Sequence, residues 1–169
     1  MVQGHLPVDI VDDCVFIEPS AGAGDIFAAL PAGRRVGVEL DPGMCLKAAK
    51  ERGFEFLQED FLNIDEQTLG VTVEGVPKSH RVVIGNPPYV VRDEAGRPTN
   101  SIIVAFMSHA LRIADTVAFL LPPQCATDSF VSQLPGDYDV KYSAAADDTF
   151  TFCDRKVRRK SSFVLARKR

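Results

Sequence analysis

Four consecutive residues, Asn86-Pro87-Pro88-Tyr89, have the types and order that could do chemistry. They follow Val82-Val83-Ile84-Gly85, a β-branched run that reads as a buried strand, and the glycine, asparagine and prolines stop that strand in a rigid polar tip. The Asn86 side chain offers a carbonyl acceptor, the prolines leave backbone carbonyls with no competing N–H, and Tyr89 offers an aromatic face. Two acceptors beside a flat ring suit a planar group that bears an NH2. The exocyclic amine of adenine is a poor nucleophile because its lone pair is delocalised into the ring, and fixed acceptors on both hydrogens localise that pair as reaction begins. A bare Pro-Pro is more often a turn that closes a strand; the full tetrapeptide after such a strand points to chemistry.

The Asn-Pro-Pro-Tyr tetrapeptide after a hydrophobic strand resembles the catalytic motif of class I S-adenosylmethionine-dependent methyltransferases that modify amino groups, above all N6 of adenine. Three further stretches extend the resemblance. Glu18-Pro19-Ser20-Ala21-Gly22-Ala23-Gly24 follows the apolar run Cys14-Val15-Phe16-Ile17 and reads as a glycine-rich turn, whose small residues let backbone approach a ligand closely. It is not a dinucleotide fingerprint, because the third glycine position is Phe27. The resemblance implies that this loop, through Glu18, Ser20, Ala21, Gly22 and Gly24, wraps the amino-acid part of S-adenosylmethionine. Arg35 to Pro42 reads as a second strand with Glu39 at its tip, where a carboxylate can accept from both ribose hydroxyls, and Asp41 reads as the cap of the next helix. Glu59-Asp60-Phe61-Leu62 resembles the third motif of the family. The resemblance implies that Asp60 accepts from the amino group of the cofactor's adenine and that Phe61 lies on its ring, the alternative for Phe61 being an ordinary core aromatic. By the same resemblance Asn86 borders the cofactor, Asn86 and the Pro87 carbonyl hold the target amine, and Tyr89 stacks on the target base.

These residues need a scaffold that brings four strand ends to one edge. The apolar runs predict strands at 14–17, 35–42, 54–58, 81–85, 117–121, 138–144 and 162–166, with helices at 25–30, 44–52, 102–114 and 126–134 between most of them. Residues 155–160 read as a loop or strand edge, and residues 1–13 carry no strong periodicity, although Leu6, Val8, Ile10 and Val11 could pack across the sheet. Alternating strands and helices predict a three-layer α/β domain spanning 1–169. The resemblance implies a Rossmann-like methyltransferase fold, a seven-stranded, mostly parallel sheet of order 3-2-1-4-5-7-6 with strand 7 antiparallel. In open α/β sheets ligands bind at the carboxyl ends of the strands, where all four motifs fall.

Composition narrows the partners. A 169-residue chain that is 46% hydrophobic and 25% charged is long enough for one full core. It has no apolar run of about 18 residues and no N-terminal basic-then-apolar pattern, so an intracellular protein, cytoplasmic or nuclear, is expected, with no membrane partner. Cys14, Cys45, Cys125 and Cys153 show no CxxC spacing and His5, His80 and His109 are isolated, so no metal site is expected. The net charge of −4 hides an asymmetry: residues 155–169 hold eight Lys or Arg and no acid, leaving an acidic body ahead of a basic C-terminal segment. Arg158, Arg159 and Lys160 in that segment, with Arg92 and Arg97 in the polar stretch after the tip, are candidates for nucleic-acid phosphates, the alternative being solvated charge. The resemblance then implies N6-adenine methylation of nucleic acid, DNA or structured RNA. No separate target-recognition module is visible, so shape recognition of RNA or a partner subunit would supply specificity. Two rival readings are a methyltransferase for a glutamine side-chain amide in protein, which presents a similar NH2, and a cofactor-binding or structural subunit of the same fold.

Overall fold

The structure is a computed structural model that describes residues 14–31, 34–70, 73–92, 98–99, 101–143, 146–152 and 155–169; side chains are described at these positions except at 91–92, 98–99, 146–152 and 155–159. The expected packing of residues 1–13, and Arg97 and Cys153, lie outside this description.

Strands β1 (Val15–Pro19), β2 (Arg35–Val38), β3 (Phe56–Leu57), β4 (Arg81–Gly85), β7 (Thr116–Leu121), β8 (Tyr138–Tyr142) and β10 (Arg155–Lys168) are hydrogen-bonded in the order β3-β2-β1-β4-β7-β10-β8, and β9 (Ala146–Phe152) pairs with β10 outside that path. The first five strands of this order run parallel, and β10 runs antiparallel to both of its neighbours in the path. Six of these strands are full-length; the strand expected over 54–58 is reduced to a two-residue edge. The reduction has a physical cause. Phe54 leaves the ladder and packs its ring 5.0 Å from Phe27, while Phe56 packs 5.1 Å from the same ring, both edge-on.

Period-two alternation assigns the two faces of the sheet. Val15, Ile17, Val83, Val117, Phe119, Leu121, Val164 and Ala166 join one large core cluster, and Phe16, Val82, Ile84 and Ala118 join a smaller one across the sheet with Leu30. Helix α4 (Ser101–Ile113) covers the larger face with Ile103, Phe106, Met107, Ala110 and Leu111. The shorter helices are α1 (Asp25–Ala29), α2 (Pro42–Arg52), α3 (Glu66–Leu69) and α5 (Asp128–Val131). Asp41 caps α2 as expected, its Oδ1 accepting from the Gly43 and Met44 amides at 2.7 and 3.1 Å, and Gly53 ends it at φ 68°. The polar stretch after the Asn86–Tyr89 tip is not a plain loop, because β5 (Val91–Arg92) pairs antiparallel with β6 (Pro98–Thr99). Among the described residues no helix is long and apolar enough to cross a membrane.

Gly37 shows how tightly the β2–β3 edge is built. It lies opposite Phe56 in the ladder, and a Cβ added there would sit 2.4 Å from the Phe56 ring. Gly37→Ala is therefore expected to destabilise the protein by about 1–3 kcal/mol, because the displaced ring must push back into Phe27 and Phe54. The urea midpoint, with an unchanged slope, is the measurement.

Candidate active site at the carboxyl edge of the sheet

The glycine-rich turn leaves β1 through three left-handed residues, Ser20 (φ 55°), Gly22 (φ 57°) and Gly24 (φ 84°). The Ala21 amide donates to the Val38 carbonyl at 2.9 Å and Gly24 to Ala21 at 2.8 Å, so the turn is tied to β2 and to itself. The two glycines have different work. A Cβ on Gly22 would meet nothing within 4 Å, so a ligand can approach that backbone; a Cβ on Gly24 would meet Phe54 at 2.8 Å and Phe56 at 3.1 Å. Gly24 thus serves packing rather than ligand approach, a correction to the expectation for the whole run, and Ala21 is itself core.

Behind the turn, Arg35 holds it in place. Its guanidinium donates to the Phe27 and Leu30 carbonyls at 2.6 and 3.0 Å and lies 4.3 Å from the centre of the Phe27 ring. Arg52, at the end of α2, donates to the Gly24 carbonyl at 3.3 Å and pairs with Asp25. Neither arginine carries a local sequence signal, because each acts on residues 8 or 28 positions away.

Glu39 joins the two loops as an acceptor. Its Oε2 accepts from the Gly22 amide at 2.7 Å and its Oε1 from the Asp41 amide at 2.9 Å. Each oxygen keeps a further lone pair, which two adjacent hydroxyls could use. Leu40, the next residue, is 66% exposed, and a bare apolar side chain beside a polar cradle suits the face of a flat ring. The only sequence signal for it was an isolated leucine between two acids in a turn.

Glu18 is the electrostatic centre of the turn. It is 2% exposed and its Oε2 has no hydrogen-bond partner among the described residues. Burial pushes its carboxyl up to about 9, the charges of Asp25 and Glu39 add to that, and the Phe27 amide and the Arg35 guanidinium oppose it. A buried carboxyl with one unspent oxygen suits a cationic group delivered to the loop.

Of the two residues expected to hold the cofactor's adenine, Phe61 does not match its expected role where the structure places it. Phe61 is 2% exposed and packs against Phe106 at 5.2 Å and the His109 ring at 5.0 Å, so it is a core aromatic with no free face for a cofactor ring. Asp60 is half-buried at the edge, but its Oδ1 accepts from the Leu62 amide at 3.0 Å and caps the 3-10 turn Phe61–Asn63; Oδ2 accepts from Asn63 Nδ2 at 3.3 Å. The capping leaves Asp60 spare acceptor capacity.

At the tip, Asn86 and Tyr89 are brought together. The Tyr89 hydroxyl donates to Asn86 Oδ1 at 2.5 Å and lies 3.3 Å from the Leu120 carbonyl, and the ring rests against the core. The side-chain acceptor expected to hold an amine is thus satisfied from within, and the ring expected to stack is half-buried. Pro87 is buried and Pro88 exposed. Gly85 lets β4 lie against β1, since a Cβ there would meet the Pro19 carbonyl oxygen at 3.2 Å. The tip therefore stands directly beside the glycine-rich turn.

Of the candidate phosphate contacts, Lys160 is exposed, and the side chains of Arg92, Arg97, Arg158 and Arg159 lie outside the described set. Among the described residues no group of three or more His, Cys, Asp or Glu could hold a metal ion.

No family model and no curated protein matches the chain. Solved structures do. A Pyrococcus horikoshii protein named as a candidate RNA methyltransferase aligns with a TM-score of 0.66 at 15% identity, over 94% of this chain and 76% of that one. A ribosomal RNA methylase of Streptococcus thermophilus aligns with a TM-score of 0.57 at 13% identity, over 95% and 91%. Magnesium protoporphyrin IX methyltransferase of Synechocystis, solved with S-adenosylmethionine bound, aligns with a TM-score of 0.55 at 14% identity, over 99% and 74%. The chain has the Rossmann-like fold these methyltransferases share.

Proposed function

We propose that this chain is an S-adenosylmethionine-dependent methyltransferase that acts on the exocyclic N6 amine of adenine in nucleic acid. The observation that carries this reading is the Asn86 side-chain carbonyl, held by the Tyr89 hydroxyl just past the end of β4, where Gly85 packs against Pro19 at the start of the glycine-rich turn. The cradle fits the cofactor: Glu18 offers its unpartnered Oε2 to an ammonium, Gly22 has open space, Glu39 keeps lone pairs for ribose hydroxyls, and Leu40 offers an apolar face to adenine. The cofactor supplies an electrophilic methyl group.

The residues of the chain do the rest. Asn86 Oδ1 and the Pro87 carbonyl accept the two hydrogens of the amine and draw its lone pair out of the ring. The Tyr89 hydroxyl, bound to Asn86 Oδ1, competes with the amine for that acceptor. The base must be unpaired or turned out of its helix to reach the tip. The nucleic-acid methylating proteins among the structural neighbours support this substrate class.

Radiolabelled S-adenosylmethionine tests the reading on duplex DNA, single-stranded DNA, total RNA and a release-factor protein, with digestion to nucleosides and amino acids. Label in N6-methyladenine is expected. Label in glutamine would transfer the chemistry to a protein amide, and cofactor binding without label on any of the four would indicate a structural or partner-dependent subunit.

A further inference from the structure

The β9–β10 ribbon runs past the sheet on the side of the candidate site. β7 is parallel to β4, with Phe119 opposite Gly85, and β10 is antiparallel to β7, with Ser162 opposite Leu121. The residues that precede Ser162 in β10 therefore lie beyond the end of β7, at the edge where Gly85 leads into Asn86. The Tyr89 hydroxyl, 3.3 Å from the Leu120 carbonyl, places the tip against the same end of β7. From Arg155 to Ser161 the ribbon is paired with Phe152 to Ala146 without a break in register, a projection of about 20 Å.

Register and alternation divide the ribbon into two unlike faces. Lys156, Arg158 and Lys160 share one face, opposite Thr151, Thr149 and Asp147. Arg155, Val157, Arg159 and Ser161 share the other, opposite Phe152, Phe150, Asp148 and Ala146. At the base of the ribbon Lys160 is exposed and Ser161 buried, so the lysine face is the one turned to solvent there. The basic segment is thus not uniform: Lys156 and Arg158 lie opposite threonines on one face, Lys160 lies opposite Asp147 at the base of that face, and Arg159 lies opposite Asp148 on the other.

We infer that this ribbon is the substrate arm of the protein, binding the phosphate backbone of the nucleic acid through the Lys156–Arg158–Lys160 face while the target adenine enters the tip beside it. The inference rests on the nucleic-acid reading above and narrows it to one face of one ribbon. Cations at alternate strand positions are spaced about 7 Å apart, a repeat that matches the separation of successive phosphates in a single strand. The body of the chain is acidic, with 23 Asp and Glu residues, so association must be steered by a localised cationic element.

The test is the salt dependence of binding to a fluorescently labelled single-stranded RNA and a duplex DNA of the same sequence. In Lys156→Ala/Arg158→Ala the slope of log K against log salt should fall by about 1.4–1.8, the loss of two phosphate contacts. Arg159→Ala should leave the slope within about 0.3 of wild type, because Arg159 stands on the other face of the ribbon from Lys156 and Arg158. Thermal midpoints of the variants check folding, and Lys156→Gln/Arg158→Gln replaces the alanine pair if its midpoint falls. An unchanged slope in the double variant, or an equal loss in Arg159→Ala, overturns the ribbon assignment alone. Absence of binding by the wild-type chain to either probe overturns the nucleic-acid reading and the ribbon with it.

Discussion

Asn86→Ala is expected to lower the rate of methyl transfer by about a hundredfold or more, the usual cost of removing one fixed group that strengthens its hydrogen bond in the transition state. Cofactor affinity should stay within about threefold, because Glu18 is untouched and Gly22 and Glu39 remain tied to each other through a backbone amide. Tyr89→Phe is the informative companion. It keeps the ring but removes the hydroxyl that satisfies Asn86 Oδ1, so the amine no longer competes with an internal donor. It should retain activity within about fivefold, with KM for the nucleic acid equal to or below that of wild type. Full activity in Asn86→Ala would sink the acceptor role; loss of activity in Tyr89→Phe would show that the hydroxyl, not the ring, is needed.

Glu18→Gln is expected to change both stability and ligand binding, in opposite directions. The folded chain holds the Glu18 proton up to about pH 9, whereas an exposed carboxyl gives it up near 4.5. Between those values the folded state binds a proton that the unfolded state does not, so this group's contribution is fully present below about pH 4.5 and is lost as pH rises towards 9. Glutamine resembles the neutral carboxyl and removes the dependence. The variant should match wild type near pH 5 and exceed it at pH 8.5, by on the order of a few kcal/mol, in chemical denaturation at the two pH values. Ligand binding should move the other way. An ammonium brought to Oε2 favours the ionised carboxyl, so binding of S-adenosylmethionine near pH 7 should release up to one proton and tighten as pH rises towards 8. Asp25 and Glu39 resist that ionisation, and Arg35 and the Phe27 amide assist it. Calorimetric titration in two buffers of different ionisation enthalpy measures the proton. In Glu18→Gln the proton release should vanish and affinity fall about tenfold or more. A wild-type protein that binds with no proton exchange would show that Glu18 is not the ammonium partner.

Much of the scaffold was legible because it depends on short-range pattern. The alternation of Val15, Phe16 and Ile17, and of Val82, Val83 and Ile84, is a local property that assigns each side chain to one core cluster or the other. Asp41 and Gly53 mark the ends of α2 from their own chemistry. The third strand was overread because the apolar residues Phe54 and Phe56 satisfy two outcomes equally, a ladder or an aromatic cluster, and Phe27, about 30 positions earlier, decided for the cluster. Phe61 was misassigned for a related reason: its burial depends on Phe106 and His109 on α4, and nothing near Phe61 in the chain announces them.

By itself, the sequence determined which residues stand at strand ends, in what order the motifs come, and that the basic charge is gathered at one end of an acidic chain; these follow from periodicity, turn chemistry and counting. Only the tertiary structure decided which atoms at those ends are already spent. Asn86 is engaged by a Tyr89 hydroxyl that also lies against the Leu120 carbonyl of β7, Glu39 is shared between two loops, and Glu18 is buried where charges from Asp25, Glu39 and Arg35 meet. The register of β10 with β9 likewise sets Arg158 across from Thr149 and Arg159 across from Asp148, pairings that alternation along one strand does not fix. Hydrogen-bond satisfaction and desolvation are set by distances in space, and a chain specifies those only once its strands have been laid side by side.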